Sequence, residues 1–186
     1  MVEEVEMTDS QPNEVATKPS TEGGLPSIQE QLATNIKLIE KAVHQKDTRL
    51  LFSKVLRRTQ ALRGVLGAGD VKALVEAVFP KLNLSMEQLV VELLDKKARD
   101  GLGSMDMDLN HATSFSLSGA TISGAAMPEV EMYIYILALL VFIDAKEWMD
   151  ARSLALDAVE NRLSKFNRRT LDMFAARIYF YLSLAT

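Results

Sequence analysis

From residue 27 onward the large apolar side chains recur every three or four positions, the spacing that puts them on one face of an α-helix. Ile28, Leu32, Ile36, Ile39 and Val43 form the first such stripe, which ends near His44. Ser27 and Glu30 stand ahead of it at capping-box spacing, able to satisfy N–H groups that a helix start leaves open. Asp47 can cap a second helix, along which Thr48, Phe52, Val55, Thr59, Leu62 and Leu66 align, and Gly64, Gly67 and Gly69 end it. So short a connection predicts antiparallel neighbours. Asp70 is placed to cap a third, short helix carrying Val71, Leu74, Val75 and Val78, stopped by Pro80. Ser85 and Gln88 form a second capping box before a fourth stripe of Met86, Leu89, Val90, Leu93 and Leu94. That helix runs into Lys96, Lys97 and Arg99, whose positive charge suits a helix C-terminus.

A second helical block opens at Pro128 and Glu129, Pro in a first turn and an acid near the positive helix end. Val130 to Ile143 is apolar nearly all round, so both of its sides are expected to be covered. Asp144 marks a turn. Trp148, Ala151, Leu154, Ala155, Ala158 and Val159 form the next inner face, with Asp150, Arg152, Asp157, Glu160 and Arg162 assigned to the outer one. After a turn near Phe166 and Asn167, a last helix presents Leu171, Phe174, Ala175, Ile178, Tyr179 and Leu182. Taking Glu129 and Arg168 as helix starts gives a period of a helix–turn–helix solenoid repeat. The pattern therefore predicts an all-α protein, a right-handed stack of antiparallel helix pairs. It stops at Thr186 within an apolar helix, which predicts an open face there and a chain that is a piece of a longer solenoid.

Composition changes this picture at two places. Residues 1–26 hold six acids against one base, three Pro and a Gly pair, and are expected to form a disordered acidic tail. Residues 100–127 are dominated by Gly, Ser, Asp, Asn and Thr without Lys or Arg, the makeup of a long flexible loop. The expected organisation is a tail (1–26), an N-terminal helical block (27–99), a loop (100–127) and a helical-repeat block (128–186). The start of the chain has neither a basic region nor an apolar stretch, so it is no secretory signal, and the run from Met132 to Ile143 is too short to span a bilayer. Cytoplasm and nucleus are the expected compartments.

The 186 residues include no Cys, which excludes disulfides, thiolate metal sites and Cys nucleophiles. The net charge of −4 is the wrong sign for a general nucleic-acid binder. His44 and His111 are the only histidines, and neither has ligands at metal spacing; Asp106 and Asp108 near His111 lie in a loop with no rigid frame. The pattern Gly64, Gly67, Gly69 follows a helix and lacks the Lys-Ser/Thr of a phosphate loop, so it reads as a helix stop. No catalytic, cofactor or metal residues are assigned. Residues 46–63 carry Lys46, Arg49, Lys54, Arg57, Arg58 and Arg63 against Asp47 alone. With no aromatics interleaved for stacking except Phe52, this reads as a solvated basic face or a docking face for an acidic partner, ahead of an RNA-binding one. Arg168 and Arg169 sit at a helix start, where positive charge opposes the dipole, and so call for a partner such as Glu160 or a neighbouring subunit. Trp148 and the run Tyr179, Phe180, Tyr181 read as packing groups; since a helix buries one stripe, Phe180 or Tyr181 should face a further repeat or a partner. The candidate interaction residues are Arg168, Arg169, Phe180 and Tyr181.

Specific strings carry a resemblance. Pro128 to Tyr133 before a long apolar helix, Asn167 to Asp172, and Ala175 to Tyr181 resemble the regulatory subunit 3 family of non-ATPase subunits in the 26S proteasome. Asn35 to Val43 and Leu56 to Arg63 look like the same family's N-terminal helices. The resemblance spans 27–99 and 128–184. It implies a TPR-like, PCI-type α-solenoid, a lid subunit of the regulatory particle, and a non-catalytic scaffold in ubiquitin-dependent protein degradation. Its implied partners are other lid and regulatory-particle subunits, with no cofactor, membrane, nucleic acid or small-molecule substrate. The resemblance covers neither the winged-helix PCI module nor the C-terminal bundle helix of such subunits, and neither is expected within residues 1–186. A subunit of another PCI-type complex (the signalosome or a translation initiation factor) and an RNA-binding helical protein remain the alternatives.

Overall fold

The Ser27 capping box forms as its spacing predicts. The Glu30 N–H donates to Ser27 Oγ at 3.2 Å and the Ser27 N–H donates to Glu30 Oε2 at 3.1 Å. This opens α1, Ile28–Gln45. A computed structural model describes residues 27–78, 90–96 and 127–186, with the side chain of Phe52 left aside. The expected tail, the expected loop apart from Met127, Pro80, the Ser85–Gln88 box, Lys97, Arg99 and His111 lie outside the described residues.

α2 follows as one rod in three parts, Thr48–Leu50, a π-helical turn Leu51–Leu56, and Arg57–Leu62. α3 is Ala68–Val78, and α4 covers residues 90–96. α5 is Pro128–Asp144. α6 is Trp148–Asp157, prolonged by a π turn Ala158–Arg162 and a 3-10 turn Leu163–Lys165. A 3-10 turn Arg169–Leu171 leads into α7, Asp172–Leu184. No strand occurs among the described residues.

α5 is the hub. Every residue from Glu129 to Ile143 is buried, because α1, α3, α6 and α7 all pack on it. Past Glu129 and Glu131 its sequence is apolar nearly all round, which is what a helix enclosed on all sides requires. Full burial of a side chain such as Phe142 contributes about 1.5–3 kcal/mol. Leu32, Ile36 and Ile39 of α1, Val55 and Leu62 of α2, and Val71, Leu74 and Val75 of α3 join α5, α6 and α7 in one continuous core. Both sequence blocks therefore share a single hydrophobic interior.

The hairpins α1–α2 and α5–α6 close by the same chemistry. The Asp47 N–H donates to Ala42 O and the Lys46 N–H to Val43 O; likewise Glu147 N–H to Phe142 O and Lys146 N–H to Ile143 O. Each is a Schellman turn, with Lys46 (φ 53°) and Lys146 (φ 61°) in the left-handed position that Gly usually fills. An acid follows each lysine at the start of the next helix. Asp47 caps α2 by accepting from the Arg49 N–H at 2.9 Å.

Several sequence expectations need correction. Asp70 is inside the first turn of α3, where Oδ2 accepts from the Gly67 N–H at 3.0 Å; Gly69 is helical, so α3 starts earlier than expected. Trp148 is 41% exposed, because it opens α6 at the rim of the hairpin rather than facing the core. Asp157 and Arg162 belong to the inner face of α6, as partners of buried groups on α5. On α7 the inner stripe is Phe174, Ile178 and Tyr181, continuing from Leu171, while Tyr179 is turned out. The helix starts only at Asp172, after the 3-10 turn; Leu171, Phe174 and Ile178 face inward as expected, and the stripe continues to Tyr181 in place of Tyr179.

Candidate interaction surface

The polar groups that sequence reasoning would offer to chemistry are used to hold α5 in place. Glu129 is fully buried; Thr170 donates to its Oε1, and Arg168 Nη1 lies 3.7 Å from the same oxygen. Glu131 Oε1 is 3.3 Å from Arg162 Nη1. The Tyr135 hydroxyl donates to Asp157 Oδ2. The first two turns of α5 are thus tied to the end of α6 and to the segment entering α7 by four polar contacts. Burial pushes the Glu131 carboxyl up from its ordinary range, outweighing the nearby Arg162 charge. Burial, reinforced by the bond to Asp157, pushes the Tyr135 phenol up as well.

Tyr133 performs the same service toward α1 and α2. Thr59 Oγ1 donates to Val55 O at 2.9 Å, so its only proton is taken. The Tyr133 hydroxyl, 3.0 Å away, therefore donates to Thr59, and Asn35 Nδ2 donates to Tyr133 at 2.9 Å. The ring of Phe174 from α7 meets Tyr133 edge-on at 6.5 Å. One side chain thereby contacts three other helices.

Outside the core, ion pairs connect helix ends. Arg63 Nε, just past α2, lies 2.9 Å from both Asp144 carboxylate oxygens, and this bond raises the Arg63 pKa. Lys72 of α3 bonds Asp95 of α4 at 2.6 Å, and Lys96 bonds Asp150 of α6 at 2.9 Å. Among the described residues no group of three or more His, Asp or Glu side chains is arranged to hold a metal ion.

The four candidate interaction residues part company. Arg168 is half exposed and reaches the buried Glu129, a partner within the chain. Arg169 is exposed. Phe180 is 54% exposed. Tyr181 is drawn into the body beside Leu56, Ile136 and Leu140, its ring edge-on to Phe180 at 5.5 Å. The outward apolar groups of α7 are thus Tyr179, Phe180 and Leu184, each at least half exposed.

Sequence reasoning missed the buried ions, although one signal was present. Ala151, Leu154, Ala155 and Ala158 extend by four residues to Arg162, which continues the inner stripe. Nothing in the spacing pairs Asn35 with Tyr133.

Comparison with known proteins decides the family. A family model described as PSMD3-like, N-terminal TPR repeats matches residues 26–186. The chain belongs to this family. Its helical hairpins are the repeats in question. A probable 26S proteasome non-ATPase regulatory subunit 3 from Nicotiana tabacum is 32% identical over 186 residues, covering 99% of this chain and 35% of the relative. The 26S proteasome non-ATPase regulatory subunit 3 of Dictyostelium discoideum is 33% identical over 154 residues, covering 83% and 30%. A probable 26S proteasome regulatory subunit rpn3 from Schizosaccharomyces pombe is 28% identical over 183 residues, covering 98% and 33%. The chain spans about a third of the length of these relatives. Among the described residues no helix is long and apolar enough to cross a membrane.

Proposed function

We propose that this chain is a non-catalytic scaffold of the 26S proteasome regulatory particle, within its lid, acting in ubiquitin-dependent protein degradation. The observation that carries the reading is the family match over residues 26–186, with relatives named as 26S proteasome regulatory subunits across nearly the whole chain. The geometry is consistent with support rather than turnover. The buried carboxylates Glu129 and Glu131 and the buried Arg162 are engaged in holding α5. The outward groups of α7 offer apolar area to a neighbouring subunit, the kind of contact in which aromatic anchors contribute most. The partners are other lid and regulatory-particle subunits, and the compartments are cytoplasm and nucleus.

The test is co-sedimentation. An epitope-tagged chain expressed in cells should migrate with regulatory-particle subunits on a glycerol gradient, and the fraction bound should fall when Phe180 is replaced by Ser. A chain found only in the light fractions, with intact particles elsewhere in the gradient, contradicts the proposal.

A further inference from the structure

The charge of α2 runs against that of the whole protein. The chain is net −4, yet Thr48 to Leu62 carries Arg49, Lys54, Arg57 and Arg58 and no acid. All four cations are exposed. Such a cluster raises the local concentration of anions and speeds their docking.

Beside this helix a small recess opens between α2, α5 and α7. Its floor is Leu56, Ile136 and Leu140, and its polar rim is Gln60, Arg63 and Arg177. The space is about 20 Å³, enough for a water or a methyl-sized group. Arg63 is committed to Asp144 by the two 2.9 Å contacts of its Nε. Arg57 and Arg177 have no carboxylate partner among the described residues. Arg57 stands three residues before Gln60, hence on the same edge of α2 as the rim. Two guanidinium groups without anions thus lie on the two helices that border one recess with a narrow apolar floor.

We propose that the α2–α7 edge docks an acidic segment of a partner protein, its carboxylates received by Arg57 and Arg177. Guanidinium forks match carboxylates with paired N–H donors. The described exposed side chains of α2 carry no aromatic ring, and the chain as a whole, at net −4, lacks the basic excess of a nucleic-acid binder, which favours a peptide over a single-stranded nucleic acid even beside the exposed Phe180 of α7. This goes beyond the proteasome role by naming the chemistry of a partner, and it stands apart from it: a chain that fails to co-sediment with the particle can still bind the peptide.

The experiment is fluorescence anisotropy on the full chain with a short labelled peptide of Glu and Asp flanking a Val. Its Gln/Asn counterpart and a single-stranded RNA of matched charge serve as competing probes. The expected result is salt-sensitive binding of the acidic peptide only. The pair Arg57→Glu/Arg177→Glu should weaken it about tenfold or more, while Lys37→Glu/Lys41→Glu on α1 changes it less than about threefold. Arg57→Gln/Arg177→Gln, with an unchanged circular dichroism melt, reads the same loss should charge reversal impair folding. Equal binding of the Gln/Asn peptide, tighter binding of the RNA, or equal weakening by the α1 pair would each overturn the proposal.

Discussion

Arg162 and Glu131 face each other at 3.3 Å with a tenth or less of either side chain exposed, joining the end of α6 to the first turn of α5. Removing one member of such a pair is costly because the other stays behind, buried and charged. Arg162→Met is predicted to destabilise the fold by about 3 kcal/mol near neutral pH. Glu131→Leu/Arg162→Met should recover most of that, as read by urea unfolding. The pH dependence has a definite sign. The Glu131 carboxyl is pushed up in the folded state by burial, so between its ordinary pKa and its folded one the native chain holds a proton that the unfolded chain has released. Its contribution to stability is full at low pH and declines as pH rises through that window. Glu131→Gln is predicted to flatten the decline.

Tyr133 is the corresponding link toward the N-terminal helices. Tyr133→Phe keeps the ring contact with Phe174 and removes the hydroxyl that receives Asn35 and donates to Thr59. Asn35 Oδ1 already lacks a hydrogen-bond partner, so the variant strands the whole amide. The predicted cost is about 1–3 kcal/mol by denaturant titration, with much of it restored by adding Asn35→Leu.

The extent to which the fold could be read in advance follows from what periodicity encodes. The stripe Leu32, Ile36, Ile39 and the all-round apolar α5 were legible because burial of a helix face leaves a three-or-four-residue signature. The Ser27 capping box was legible because its chemistry is local. Arg162 was misassigned because a charge is ordinarily a surface group, and its partner Glu131 is distant in sequence. Tyr179 and Tyr181 were assigned the wrong way round because either can extend the Leu171, Phe174, Ile178 stripe at helical spacing, Tyr179 from Ala175 and Tyr181 from Ile178, and the choice depends on how α7 packs beside α2 and α5. At the candidate surface, Phe180 was legible as an outward group, whereas the recess beside Arg177 depends on how α2 and α7 meet.

The two lysines in left-handed turns offer a stabilising change. Lys146 at φ 61° bears a Cβ penalty that Gly lacks, offset in part by the greater freedom of Gly in the unfolded chain. Lys146→Gly is predicted to raise stability by about 0.5–1 kcal/mol, seen as a higher urea midpoint at constant m-value. Lys46→Gly should behave alike, and a fall in both would contradict the turn geometry.

Phe174 and Phe180 lie on the same helix with opposite roles. Phe174 is fully buried, so Phe174→Ala is predicted to cost about 3–5 kcal/mol. Phe180 is half exposed, and Phe180→Ala should change stability by no more than about 0.5 kcal/mol. Thermal melts of the two variants distinguish an inner from an outer position directly.

The scaffold role is tested most directly by site-specific photo-crosslinking in cells, with a photoreactive residue placed at Phe180 or, as control, at exposed Thr34 of α1. Adducts between Phe180 and regulatory-particle subunits, several-fold above those from Thr34, are the predicted result. No proteasomal adduct from Phe180, or equal yields from both positions, would contradict it.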